Sequence, residues 1–256
     1  SHTVLLDQFT DKIEEDHNII FKPNVGPQTD FLAASEREVL YGGSAGGGKS
    51  YAMLADPLRF MDVPAFAGVL LRHTTEELRE LITKSQEMYP KIWPGIKWSE
   101  RKMTWTAPSG ATLWLSYLDK DQDVTRYQGL AFSWIGFDEL TQWATPFAWN
   151  YMRSRLRTAD PSLPLSMRAT TNPGGRGHHW VKKMFIDPAP AGNSFIATDI
   201  ESGEDLKYPA GHAKAGKPLF KRRFIPARLR DNPYLAQQGD YEAMLLSLPE
   251  QQHCFV

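Results

Sequence analysis

Cysteine is almost absent, with a single one, Cys254, among 256 residues. That excludes an internal disulfide framework and fits a reducing compartment. Long apolar runs are missing too. No stretch approaches the roughly 18 consecutive apolar residues of a spanning helix, and none reads as a secretory signal. No membrane association is expected. An excess of either charge is also lacking. Lys and Arg number 29 against 30 Asp and Glu, a formal net charge of −1, so any surface suited to a polyanion must be local. No internal repeat is visible. What remains is an ordinary globular composition, 41% hydrophobic and 23% charged, able to bury a real core. The length fits one large domain, or one with a small appendage.

Glycine is abundant at one place. The stretch Gly43-Ser44-Ala45-Gly46-Gly47-Gly48-Lys49-Ser50 matches G-x-x-x-x-G-K-[ST] at every fixed position. Glycines let a backbone take positive φ and bring its N–H groups against phosphate oxygens. Lys49 would reach the β- and γ-phosphates, and Ser50 would offer its hydroxyl to Mg²⁺. The flanks fit the motif. Glu38-Val39-Leu40-Tyr41 is β-prone, and Tyr51 to Leu58 is helix-compatible until Pro57. A flexible Gly/Ser linker is the bland alternative, and the Lys-Ser pair argues against it.

Before the loop, residues 5–15 read as a short amphipathic helix, and a second helix begins at about Gln28. The Gln28 amide carries a donor and an acceptor, as recognition of adenine's Hoogsteen edge requires. After the loop, residues 67–72 read as a buried strand ending in Arg72. That arginine either faces the nucleotide or makes a structural salt bridge. Thr74 or Thr75 caps a helix expected to stop at Pro90. Residues 97–118 read as a hairpin turning at Pro108-Ser109-Gly110, with Trp105 and Trp114 as packing residues. The polar stretch from Asp119 lacks the Gly and terminal Glu of an EF-hand, so no Ca²⁺ site is expected.

The second decisive stretch is Phe132-Ser133-Trp134-Ile135-Gly136-Phe137-Asp138-Glu139. An apolar strand here ends in two acids. It is expected beside the strand of the glycine loop, delivering Asp138 to Mg²⁺, with Glu139 polarising the attacking water. A helix is expected from Pro146 to about Arg157, placing Arg153 and Arg157 on one face. Residues 165–172 read as a strand ending in Thr170, Thr171 and Asn172, groups suited to sensing a γ-phosphate. Residues 151–183 hold seven Lys and Arg against one Asp, and residues 217–230 hold six and no acid. Either could contact a phosphodiester backbone or be a solvated basic face. His178 and His179 are adjacent, but no second ligand pair suggests a metal. Residues 188–218 read as loop, and a closing helix is expected over residues 234–248.

In this order the motifs resemble the ATPase domain of the large terminase subunit of tailed bacteriophages. The resemblance runs through Pro27-Gln28, the glycine loop, Leu70-Leu71-Arg72, Arg126-Tyr127-Gln128-Gly129 and Phe137-Asp138-Glu139-Leu140. It continues through Thr170-Thr171-Asn172-Pro173-Gly174-Gly175, Gly177-His178-His179-Trp180-Val181-Lys182 and Asp231-Asn232-Pro233-Tyr234-Leu235. It spans roughly residues 20–252. The resemblance implies an ATP- and Mg²⁺-dependent motor that drives double-stranded DNA into a procapsid in the host cytoplasm. It also implies a homo-oligomeric ring working with a portal protein and a small terminase subunit. The isolated domain could stand as a monomer, its state alone being left open by the sequence. Residues 43–50 and Arg72 would bind nucleotide phosphates, and Gln28 would read adenine. Ser50 and Asp138 would hold Mg²⁺, and Glu139 would be the catalytic base. Thr170, Thr171 and Asn172 would couple hydrolysis to movement, and Arg126 would be an arginine finger for a neighbouring subunit.

Two departures stand out. Several terminases carry an Arg or Lys within the glycine loop, where this chain has Ser44, Ala45, Gly46 and Gly47; the missing charge is expected from elsewhere, such as Arg72. No later acidic cluster suits a two-metal nuclease, so no nuclease activity is expected. The expected fold is α/β, a P-loop NTPase of the additional-strand, catalytic-glutamate (RecA-like) type. A mostly parallel sheet flanked by helices would occupy residues 1–210, followed by a lid or linker over 211–256. A helicase-like ATPase and a slow nucleotide-binding switch remain the alternative readings. The first would need a second RecA-like domain, and Glu139 argues against the second.

Overall fold

The structure, a computed structural model, describes residues 25–43 and 48–228. The helices expected over 5–15 and 234–248, and the Asp231-Asn232-Pro233 cap, lie outside the described residues. So do Ser44, Ala45, Gly46 and Gly47.

Strand β1 (Glu38–Gly43) is buried along its whole length. So are β2 (Ala67–Arg72) beyond its first residue, β6 (Trp134–Phe137) and β7 (Ser166–Thr171). Such strands read as continuous apolar runs because helices cover both faces of a parallel sheet. One face is covered by α1 (Pro27–Ala33), α2 (Lys49–Ala55) and α3 (Thr75–Ile92), which pack on Val39, Tyr41 and Leu70. The other is covered by α4 (Phe147–Arg153) and α5 (His178–Val181), which pack on Leu40, Val69, Leu71 and Phe137. The alternation of side chains along each strand divides the core between the two faces.

The remaining strands are β3 (Lys97–Ser99), β4 (Thr104–Thr106), β5 (Thr112–Tyr117), β8 (Ser194–Ile196) and β9 (Lys221–Ala227). All nine form one sheet in the order β3-β4-β5-β2-β6-β7-β1-β9-β8. The run from β5 to β9 in that order is parallel, and antiparallel strands complete both ends. The fold is therefore mixed α/β with a mostly parallel central sheet, as expected.

Several local expectations are corrected. The Asp138 strand does not adjoin the loop strand; β7 lies between β6 and β1. Helix α3 does not stop at Pro90. Its last turn is held by Trp93 N–H donating to Tyr89 O at 2.8 Å and by burial of Tyr89 and Ile92. A proline this near the end disrupts little. Helix α4 ends at Arg153 rather than Arg157. Phe132 pulls the chain out of the helix by donating to Arg155 O and accepting from Arg157 N–H, both at 2.9 Å. Arg153 and Arg157 therefore share no helical face. Residues 188–218 contain β8, and residues 221–227, assigned above to a lid, form β9 hydrogen-bonded to β1 within the central sheet.

Candidate functional site

The parallel strands all end on one edge, and the candidate residues sit there. β1 finishes at Gly43, whose φ of 139° suits glycine; a Cβ there would lie 1.8 Å from Ala227 O. Only glycine lets β9 run this close to the end of β1. Gly48, with φ 68°, caps α2, and Gln28 Nε2 donates to its carbonyl at 3.1 Å. Gln28 thus braces the backbone that presents Lys49.

The acids form the centre. Asp138 is buried. Ser50 Oγ donates to Asp138 Oδ2 at 3.2 Å, and Arg72 Nε lies 2.8 Å from the same oxygen. Arg72 Nη1 reaches Glu139 Oε2 at 3.3 Å, so one guanidinium spans both carboxylates. Thr170 Oγ1 donates to Asp138 Oδ1 and accepts from Glu139 N–H at 2.9 Å. Asn172 Nδ2 donates to Glu139 Oε1 at 3.4 Å. Glu139 itself has φ 61° and ψ 58°, the left-handed region that a non-glycine residue enters at a penalty. Backbone in such a conformation persists where its surroundings hold it, and here Thr170 does so.

Charge and burial tune these groups. Burial pushes the Glu139 carboxyl above its usual range; Arg72 opposes this and Asp138 adds to it. Burial also depresses the Lys49 ammonium, to about 8, against the pull of Asp138 and Glu139. Both shifts describe a site crowded with charge and poorly hydrated.

The donor set fits Mg²⁺. Ser50 and Asp138 present hard oxygens side by side, and no group of three or more His, Cys, Asp or Glu able to hold a metal exists among the described residues. A single carboxylate and a hydroxyl are what Mg²⁺ uses when substrate phosphates and water complete its sphere. Asn172 Oδ1 is buried without a hydrogen-bond partner among the described residues, an acceptor beside Glu139 suited to a water molecule.

The structure thus gathers Lys49, Ser50, Arg72, Asp138, Glu139, Thr170 and Asn172, with Gln28 behind Gly48. Arg126 stands apart on the 3₁₀ turn Asp121–Tyr127. Its guanidinium lies 4.5 Å from the Tyr117 ring centroid, donates to Tyr117 Oη at 3.3 Å and is 3.7 Å from Asp123. Tyr117 is the register partner of Arg72, so Arg126 belongs to the same edge, one strand further out. Thr171 turns to the opposite side of its strand from Thr170, where its Oγ1 meets Thr141 Oγ1 at 3.2 Å. Thr141 escaped the sequence reading. It ties the turn after Glu139 to the 172–180 segment, and only its place three residues after Asp138 hinted at this.

A model of the family described as "Terminase large subunit, T4likevirus-type, N-terminal" matches residues 40–212. The chain belongs to the large terminase family. Solved structures agree on the fold. The large terminase ATPase domain of Thermus phage P74-26, in a point-mutant form, superposes with a TM-score of 0.61 at 13% identity, covering 97% of this chain and 96% of that one. The large terminase of a thermophilic bacteriophage gives 0.63 at 16% identity, covering 90% of this chain and 52% of its own. The same protein solved with ATP-γ-S gives 0.57 at 16% identity, covering 87% and 49%. This chain therefore spans about half the length of that full terminase. No curated protein matches it.

The basic stretches of this terminase chain are not uniformly surface. Arg222 Nε donates to Glu38 Oε2 at 2.7 Å, Arg153 Nε donates to Glu38 Oε1, and Trp149 Nε1 reaches Glu38 Oε2 at 3.2 Å. Arg168 is buried and donates to the carbonyls of Ala34 and Glu36 at 3.0 and 2.9 Å. These arginines fasten β1, α4, β7 and β9 together and are not available to a phosphodiester backbone.

Proposed function

We propose that this chain is the ATP-hydrolysing part of a large terminase and that hydrolysis drives viral double-stranded DNA into a procapsid. The observation that carries the reading is Glu139 held beside Asp138 by Arg72, Thr170 and Asn172. In this reading the backbone around Gly48 and the Lys49 ammonium bind the phosphates. Ser50 and Asp138 hold Mg²⁺, which when bound supplies charge neutralisation on the phosphate oxygens. Glu139 accepts a proton from the attacking water, a role favoured by its raised carboxyl. Asn172 orients that water. Thr170 joins both acids to β7, so a change at the carboxylates is felt in the strand leading to Asn172 and the turn beyond.

Arg126, partly exposed and outside the acid cluster, serves in this reading as a finger for a neighbouring subunit of a ring. The portal protein and the small terminase subunit are the further partners, and the host cytoplasm is the site of action.

The test is steady-state ATPase of wild type, Glu139→Ala and Lys49→Ala with Mg²⁺. Loss of the base lowers kcat by on the order of 10²–10⁴, while Lys49→Ala also weakens nucleotide binding. Wild-type turnover in Glu139→Ala would sink the assignment of the base.

A further inference from the structure

We propose that the hairpin from Leu206 to Leu219, between β8 and β9, is a contact for the sugar-phosphate backbone of double-stranded DNA, made by Lys207, Lys214 and Lys217. This rests on the packaging reading above. Within this hairpin Leu206, Tyr208 and Leu219 are half-buried and every other residue is exposed. A stretch this long without burial has no core to order it. It is ordered by its own hydrogen bonds. Leu206 N–H donates to Ala197 O at 2.9 Å, Leu219 N–H to Leu206 O at 2.7 Å and Tyr208 N–H to Lys217 O at 3.0 Å. At the tip the Tyr208 ring stacks on His212 at 4.5 Å, and the Lys214 ammonium lies over the same ring. The result is a projecting arm, structured without serving the stability of the sheet. Long exposed segments of this kind usually serve function.

Its charge is one-signed: from Leu206 to Leu219 there are three lysines and no acid, the acids Asp199, Glu201, Glu204 and Asp205 all lying on the turn before it. No carboxylate among the described residues pairs with Lys207, Lys214 or Lys217. Unpaired ammonium groups on one arm are the footprint of a polyanion partner. Two features favour nucleic acid over an acidic protein. None of the exposed large apolar side chains (Val25, Tyr51, Leu130, Phe147 and Ile196) lies on the arm, so it lacks the anchors that carry protein interfaces. Its tip is built from Ala210, Gly211, Ala213, Ala215 and Gly216, small residues that let a phosphate backbone approach closely. Lysines at such a surface bind phosphate without reading bases, as a motor moving along any sequence requires.

The test measures binding of a fluorescent duplex of random sequence by anisotropy across a salt series. Wild type is compared with the triple variant Lys207→Ala, Lys214→Ala, Lys217→Ala and with the corresponding triple arginine variant. The alanine variant should lose affinity for every duplex alike, and its log K against log salt slope should flatten by about 0.9 for each phosphate contact removed. DNA-free ATPase and thermal midpoint should be unchanged, and the arginine variant should bind like wild type. Wild-type affinity and slope in the alanine variant overturn the arm while leaving the packaging reading intact. A wild type that hydrolyses ATP but binds no duplex at low salt overturns both. Unchanged DNA binding with lost packaging in a reconstituted system overturns it in favour of a protein partner.

Discussion

Arg72 carries more of the site than its single positive charge suggests. Its Nε and Nη1 address different carboxylates, at 2.8 and 3.3 Å, so it sets the spacing between Asp138 and Glu139. The point charge of a lysine cannot span the two. Arg72→Ala should lower kcat by about 10²-fold or more, the scale of losing a fixed electrostatic group. Arg72→Lys should recover only part of it in the same ATPase assay. The sequence left Arg72 open between nucleotide and salt bridge; the structure shows the bridge, made to the residues that would act on nucleotide. Glu38 offers the matching case away from the chemistry. Burial would raise its carboxyl, but Arg222 and Arg153 outweigh that and hold it below its ordinary 4.5. A carboxyl with a depressed folded value stabilises the protein above its unfolded value. That stabilisation fades as pH falls below 4.5 and through the lower folded value. Urea unfolding of wild type should therefore show this stabilisation intact at neutral pH and lost as pH falls below 4.5. Glu38→Gln should be less stable by about 3–5 kcal/mol at neutral pH and should lack this part of the acid dependence.

At the scale of elements, the turn after Glu139 is clamped by the segment after β7. Gly177 N–H donates to Thr141 O at 2.7 Å, and Trp180 Nε1 donates to Trp143 O at 2.8 Å. A Cβ on Gly177 would lie 2.0 Å from Trp143 O, and that contact is with rigid backbone. Gly177→Ala should therefore cost about 1–3 kcal/mol of stability, read as a lower thermal midpoint. It should also lower turnover at temperatures where the variant stays folded. Several elements were legible in the sequence for physical reasons. β1, β2, β6 and β7 are covered on both faces and so read as apolar runs, each ended by candidate site residues. Of the two expected caps it is Thr74 that caps α3, in a capping box with Glu77. β9 was hidden because it begins Lys-Arg-Arg and contains Pro226, a pattern that looks like basic surface. Arg222 is instead neutralised by a glutamate 184 residues away, and local pattern cannot show such a partner. The same distance effect hid β7 from its place between β6 and β1.

At the scale of the molecule, Arg72, Thr170 and Asn172 contact the acids, whereas Arg126 sits one strand further out on the same edge, over Tyr117. If it acts across an interface, Arg126→Ala and Glu139→Ala subunits should each be inactive alone and regain hydrolysis when mixed. No recovery under conditions where rings demonstrably form would count against the finger. The place of β9 also bears on how the protein is made. A ribosome releases Glu38 long before Arg222, which follows 184 residues later. Until then one side of β1 is a bare edge beside a buried acid that lacks one of its cations. The strand that leads into the glycine loop is thus paired on both sides only once β9 has emerged. The long interval before that pairing is when the nascent chain has most need of a chaperone.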